Sequence, residues 1–286
     1  MARSLGLKID VDTYRGMQQG VPRLLDLLSG VGVKGTFYLS IGPDASGRAV
    51  LQLLKNPRFL KKMVRTGAAG LYGWRTALYG TFLPSPMIAL SFPPLVRRIM
   101  AEGHEVQFHA WDHRRWQDEL PNRTEEWIRE WFQKGLSGFE RLTGALPTSF
   151  GAPAWMIDDR VLSVLREYSF TYLSCTRADA PFVHEGSNQV EIPSDLPCFE
   201  EVGTEEGLEK IDSLLDAGDL HVLPVHAEVE GGPLGDLFLR LLGAAREKGY
   251  RPMPLGEVLP LLDKPSLTTR RFSMSLLSGR SVPCAV

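Results

Sequence analysis

Two histidines, His109 and His113, close the stretch Glu105-Val106-Gln107-Phe108-His109-Ala110-Trp111-Asp112-His113. Apolar residues alternate along its first half, the signature of a strand, and strand ends are where α/β proteins gather their chemistry. Imidazoles four residues apart can reach one divalent cation, although two unrelated surface histidines would show the same spacing. A second strand-like run, Leu5-Gly6-Leu7-Lys8-Ile9, ends in Asp10-Val11-Asp12-Thr13. Period two sends Asp10 and Asp12 to one face, and carboxylates so close repel unless a cation draws one of them; the plainer alternative is a pair of turn or cap residues. A third run, residues 221–225, ends at His226 and continues Ala227-Glu228-Val229-Glu230-Gly231. An Asp/His/His set suits Zn²⁺, with Co²⁺, Mn²⁺ and Ni²⁺ as alternatives, and leaves positions open for water and substrate. One carboxylate and one histidine then remain, the base and acid that metal-assisted hydrolysis requires.

The elements that must position these groups alternate between strand and helix, the pattern of a parallel sheet or barrel. Helices are expected at residues 21–29, 94–102, 124–143, 158–168, 205–217, 234–248 and 255–262. Strands are expected at 34–40 and from 149, with short ones at 171–174 and 190–192. The 286 residues, 43% of them hydrophobic, can bury a large core. A net charge of −2 offers no broad field for nucleic acid. Three cysteines, Cys175, Cys198 and Cys284, have no C-x-x-C spacing and point to a reducing compartment. The first strand starts so early that no signal peptide is expected, which suggests the cytoplasm.

Residues 57–98 break the pattern. Arg58, Lys61, Lys62 and Arg65 make a basic amphipathic segment, and residues 76–96 carry no charge. That length could span a bilayer, but Pro84, Pro86, Pro93 and Pro94 rule out a continuous helix. Two readings survive: an apolar cap over the barrel, or an interfacial element, which Tyr72, Trp74 and Tyr79 beside basic residues favour. After Lys264 the Ser/Arg-rich tail, residues 263–286, is expected to be poorly ordered.

With these motifs in hand, the chain resembles the polysaccharide deacetylase (NodB homology) family, carbohydrate esterase family four. Asp10-x-Asp12 resembles its first motif, Gly103-His104-Glu105-Val106 running into His109-x-x-x-His113 its second, and Val225-His226 its last. The blocks around Asp10, His109 and His226 look most like the branch that deformylates 4-deoxy-4-formamido-L-arabinose-phosphoundecaprenol. The resemblance covers residues 1–262. It implies a distorted (β/α)-barrel, an undecaprenyl-phosphate-linked amino-sugar substrate, and a place on the inner face of the inner membrane, which the apolar segment suits.

The resemblance also implies roles. Asp12, His109 and His113 would hold the metal, Asp10 would be the general base, and His226 the general acid. Trp111 and Trp155 are candidate pocket walls, although each could be core. Arg15 is the candidate for the substrate phosphate, or a solvated turn arginine. Glu228 and Glu230 are candidates for the sugar or the new ammonium, or for orienting neighbours. The chain departs from the family where its third motif carries an arginine that helps hold the catalytic aspartate and its fourth an aspartate. Here those regions read Gly151-Ala152-Pro153-Ala154-Trp155-Met156 and Ser174-Cys175-Thr176-Arg177. Arg177 is expected to stand in by approaching Asp10. Competing readings are a sugar N-deacetylase of the same family, a sugar-lipid binder with little activity, and a Mg²⁺-dependent haloacid dehalogenase-type phosphatase. The last rests on the likeness of Asp10-Val11-Asp12-Thr13, after an apolar strand, to a D-x-D-x-T motif, and it leaves the three histidines unemployed.

Overall fold

The computed structural model describes residues 3–48 and 78–286. Strand β1 (Arg3–Val11) is the axis of the fold. It pairs in parallel with β8 (Leu220–His226) on one flank. On the other flank it meets β2 (Thr36–Ser40) along Lys8–Val11 and β9 (Tyr250–Met253) along Arg3–Gly6. Its side chains alternate: Leu5, Leu7, Ile9 and Val11 are fully buried on the helix-covered face, while Ser4, Gly6, Lys8 and Asp10 line the other.

Beyond β2 come β3 (Glu105–Ala110), β4 (Ser149–Phe150), β5 (Tyr172–Leu173), β7 (Val190–Glu191) and β6 (Phe182–His184). Only the β6–β7 pair is antiparallel within this sheet. The result is a curled, mostly parallel sheet wrapped by helices, a distorted (β/α) barrel.

Two apolar layers follow from the alternation of side chains. The outer layer lies between the strands and helices α1 (Val21–Gly30), α2 (Pro93–Ala101), α3 (His113–Glu119) and α4 (Glu125–Thr143). Its densest part is aromatic: Phe108 of β3 meets Trp131, Phe132 and Phe139 of α4 and Phe150 of β4, with ring centroids 5.6–6.5 Å apart. Thr124 caps α4 by accepting from the Trp127 amide, and Gly144 ends it at φ 81°, where a side chain would be strained. The inner layer fills the barrel base with Tyr38, Tyr172, Ile192, Val222, Met253 and Leu255.

The next helices are α5 (Asp159–Leu165), α6 (Phe199–Val202), α7 (Glu205–Leu214), α8 (Gly235–Glu247) and α9 (Leu255–Val258). The C-terminal residues correct the expectation of a poorly ordered tail. β10 (Thr269–Arg270) adds to β6, and β11 (Met274–Ser275) pairs with β12 (Cys284–Ala285), whose two residues are buried. The Arg177 amide donates to Ala285 O (2.8 Å). Tertiary partners, not local propensity, order this stretch.

The basic segment at Arg58–Arg65 and the aromatic pair Tyr72 and Trp74 lie outside the described residues. The described part of the apolar segment is tied to the loop after β2: Asp44 N donates to Pro86 O, Ile88 N to Gly42 O and Gly47 N to Tyr79 O. Among the described residues no helix is long and apolar enough to cross a membrane.

Candidate active site

The carboxyl ends of β1, β3 and β8 open on one mouth, and register decides what meets there. Asp10 lies between His226 of β8 and Tyr38 of β2. In β3, Leu39 faces Phe108 while Ser40 faces Ala110, so His109 is the extra residue of a bulge. Phe108 faces the outer layer, so alternation turns His109, like Glu105 and Gln107, toward the barrel axis, and the bulge falls where the strand gives way to the catalytic loop. Asp112 then caps α3 by accepting from the Arg115 amide (2.9 Å), which starts the helix at His113.

These devices bring Asp12, His109 and His113 together. His109 Nε2 lies 3.1 Å from Asp12 Oδ1, and His113 Nε2 lies 3.2 Å from Asp12 Oδ2. His109 Nδ1 is 2.7 Å from the Gly151 carbonyl; donating there leaves Nε2 as a bare lone pair. Burial opposes the Asp12 charge, but His113 and His109 outweigh it and hold the carboxyl well below the usual carboxylate range. Burial also pushes His113 down to about 4, so the ring is neutral near pH 7. Asp12 Oδ1 and His109 Nε2 are buried, face each other and share no hydrogen bond. Unpaired buried acceptors converging on one point are costly unless a cation sits among them. The donor set of one carboxylate and two imidazoles fits a divalent transition metal.

Asp10 is buried beside that cluster, and its partner is a residue that the sequence reading did not single out. Lys8, two positions earlier on the same strand face and fully buried, donates to both Asp10 carboxylate oxygens, at 2.6 Å to Oδ1. The ammonium also stands over the rings of Tyr38 (5.0 Å) and Trp155 (5.3 Å). The expectation that Arg177 approaches Asp10 is therefore wrong. Its guanidinium is spent on Ser194 O (2.7 Å), Leu196 O (3.0 Å) and Glu201 Oε1 (2.7 Å).

His226 has its own carboxylate. Its Nδ1 lies 2.7 Å from Glu200 Oε2, on the short helix α6. Burial works against a charged ring, but Glu200 more than compensates, and the His226 pKa stands well above its ordinary value. The His226 amide donates to Glu230 Oε2 (2.7 Å), so Glu230 orients the loop; burial raises its carboxyl to about 8. Glu228 is different. It is buried, burial and the Asp12 charge push its pKa well up, and its Oε2 has no hydrogen-bond partner.

The loop carrying Glu228 is pressed against a π-helical turn, Gly16–Gly20. A Cβ at Gly20 would fall 2.0 Å from Ala227 O, and one at Gly16 would fall 2.5 Å from Glu228 Oε2. Only glycine permits this approach.

The remaining predicted residues divide. Trp155 belongs to the site: its ring is met by Lys8, by Arg177 and Arg280 (each 4.8 Å), and edge-on by His226 (6.4 Å). Ala154 and Trp155 both have φ 53°, a conformation costing on the order of 1–3 kcal/mol each that the surrounding contacts must enforce. Trp111 does not join them. It lies against α4, lining a shallow cleft with Gln133, Lys134 and Arg141. Arg15 is half-buried and donates to Gln19 Oε1 (3.2 Å).

The model of the family described as "Polysaccharide deacetylase" matches residues 3–173. The chain is 34% identical over 261 residues to a protein of Shewanella sediminis named "Probable 4-deoxy-4-formamido-L-arabinose-phosphoundecaprenol deformylase ArnD". That alignment spans 89% of this chain and 85% of the relative. The chain belongs to the polysaccharide deacetylase family. A second relative of the same printed name, from Wigglesworthia glossinidia brevipalpis, is 28% identical over 256 residues, covering 86% of this chain and 89% of its own. The same fold occurs in a crystal structure of a putative polysaccharide deacetylase from Mycobacterium smegmatis (TM-score 0.68, 19% identity, 97% and 96% of the two chains). Family membership removes the phosphatase reading, because the three histidines converge with Asp10 and Asp12 on one mouth.

Lys8 carried a signal: a lone lysine in an apolar strand, on the face of Asp10. Glu200 carried none, since nothing periodic surrounds it.

Proposed function

We propose that this chain is a metal-dependent amide hydrolase that removes the formyl group from a 4-formamido-arabinose linked to undecaprenyl phosphate. The observation that carries the chemistry is the convergence of Asp12, His109 and His113 between a lysine-held Asp10 and a carboxylate-backed His226. The substrate comes from the two relatives and their printed names.

Asp12, His109 and His113 would hold the cation, and when bound it supplies Lewis-acid polarisation of the amide carbonyl and activates a water. Asp10 accepts the proton of the attacking water, and Lys8 holds that carboxylate in place through both of its oxygens. His226, protonated on account of Glu200, delivers a proton to the amine nitrogen as the C–N bond breaks. Trp155 walls the space between Lys8 and His226 and keeps bulk water from both. Glu228, with an unused oxygen facing this region, receives a sugar hydroxyl or the new amine. Arg15, within the turn after Asp12, takes the phosphate.

Tyr79, edge-on, and Phe92, tilted, pack against the Tyr14 ring (6.1 and 4.9 Å), two residues past Asp12, which supports a membrane contact at the mouth. Phe82, in the same turn as Tyr79, is 80% exposed, and Met87 is also exposed. Phe82→Ser is expected to reduce pelleting with anionic liposomes; undiminished pelleting would remove this part of the proposal.

The main test is formate release from a formamido-sugar phospholipid by metal-replete protein, compared with acetate release from the acetamido analogue. Formate release should be faster, by the roughly 1–3 kcal/mol that one methyl group is worth in a shaped pocket. Equal or inverted rates would move the assignment to an N-deacetylase of the same family.

A further inference from the structure

A second group of metal-ligating side chains shares His226. Cys198 Sγ, a Glu200 carboxylate oxygen and a His226 ring nitrogen all lie within 4.8 Å of one another. Cys198 and Glu200 open α6, where Cys198 is the N-cap and the Glu201 carboxylate receives its amide (3.3 Å), while His226 ends β8. All three backbone positions are therefore fixed by the ends of regular elements.

A tetrahedral centre with bonds of about 2.0–2.3 Å needs donors some 3.3–3.8 Å apart, so small side-chain rotations suffice. His226 Nδ1 is buried and lacks an aligned hydrogen bond although Glu200 is 2.7 Å away, so the nitrogen is aimed into the cluster without being committed there. Cys198 is 3% exposed, and no disulfide engages it.

We infer that Cys198, Glu200 and His226 form a second, inhibitory site for a thiophilic divalent cation such as Zn²⁺ or Co²⁺. A thiolate, an imidazole and a carboxylate with a fourth position for water match such ions and disfavour Mn²⁺ and Mg²⁺. Binding displaces two protons, one from the Cys198 thiol and one from the His226 imidazolium, with no change of oxidation state. Held through Nδ1, the ring keeps only its Nε2–H, which a neutral imidazole yields to the departing amine far less readily than an imidazolium does. Excess Zn²⁺ would halt turnover while Asp12, His109 and His113 remain fully loaded. That the second ion inhibits rests on the hydrolase reading; that it binds does not.

Titration of the full-length protein with Co²⁺ separates the two. Wild type should take up two ions per chain, the second bringing a near-ultraviolet thiolate-to-cobalt charge-transfer band. Cys198→Ser should bind one ion without that band, whereas Cys175→Ser and Cys284→Ser should retain it. In the formate assay, Cys198→Ser should need at least about tenfold more Zn²⁺ for half-inhibition, since removing even an outer partner of a metal commonly costs that much. Mn²⁺ should not inhibit either protein. If Cys198→Ser does not fold, Glu200→Gln should weaken uptake of the second ion in the same titration. A single ion per chain in excess Co²⁺, or a band that survives in Cys198→Ser, overturns the site. Protein that shows the band in excess Co²⁺ but releases no formate even at one metal equivalent, before the band appears, would leave the site standing and sink the hydrolase reading instead.

Discussion

The two ends of the barrel use buried polar side chains in opposite ways. At the base, Glu105 accepts from the Tyr172 hydroxyl (3.0 Å), Gln107 Nε2 (2.8 Å), the Gly256 amide (2.9 Å) and the Thr36 hydroxyl. Gln107 in turn donates to Thr148 Oγ1 (2.8 Å) and accepts from the Thr148 and Ser149 amides, while Tyr38 and Ser149 share a hydrogen bond of 2.7 Å. At the mouth, Asp12 Oδ1, His109 Nε2, His226 Nδ1 and Glu228 Oε2 are buried without such bonds. A closed network specifies the fold, and an open one waits for ligands. The second motif spans both ends, since Glu105 and His109 sit on one strand.

Substitutions at the two ends should therefore divide cleanly into effects on turnover and effects on stability. Lys8 and Asp10 sit between and should show both. Asp10→Asn is expected to lower turnover by on the order of 10²–10⁴-fold with metal content unchanged. Lys8→Met strands the Asp10 charge in a dry interior and should cost about 3–5 kcal/mol of unfolding free energy. The double variant Lys8→Met/Asp10→Asn should regain most of that stability and none of the turnover. A Lys8→Met protein that melts like wild type would show that the pair is not a unit.

At the base, Glu105→Leu leaves hydroxyl and amide donors dry and should destabilise the chain by at least about 1–3 kcal/mol, the cost of one such donor. The metal bound per folded chain, measured by elemental analysis, should stay as in wild type. Loss of metal from the folded variant would mean that the two ends are mechanically coupled.

The smallest effect concerns His221, whose Nδ1 meets Asp195 Oδ2 (2.5 Å) near the start of β8. Burial lowers its pKa, but Asp195 outweighs burial and the net shift is upward. A raised histidine pKa stabilises fully below the unfolded value of about 6.5 and loses that contribution as pH rises through the folded value. The melting temperature should therefore show a small decline above neutrality that Asp195→Asn lacks, with no matching change in metal content. A decline of equal size in both proteins would assign it to another group.

Much of this plan was legible before any coordinates. Period two across residues 5–12 placed both aspartates on one face, and helical periodicity in 125–143 marked the aromatic side of α4. What stayed hidden has physical reasons. β9 contains Pro252, which argues against a strand until its place beside the first half of β1 is known. β10 to β12 are two residues each, too short for any pattern. Arg177 looked like a partner for Asp10 because charge and motif order suggested it. Sequence order says nothing of the carbonyls of Ser194 and Leu196 that claim the guanidinium.

The clasp made by the last residues bears on how this protein is handled. Arg280 bonds Glu201 and Ala154 O, and Ala285 O receives the Arg177 amide, so the C-terminus is stitched into the loops around Trp155. β1 begins at the opposite end of the barrel. An affinity tag fused after Val286 would tug on the wall of the reaction chamber, whereas one fused ahead of Arg3 would hang from the sealed floor.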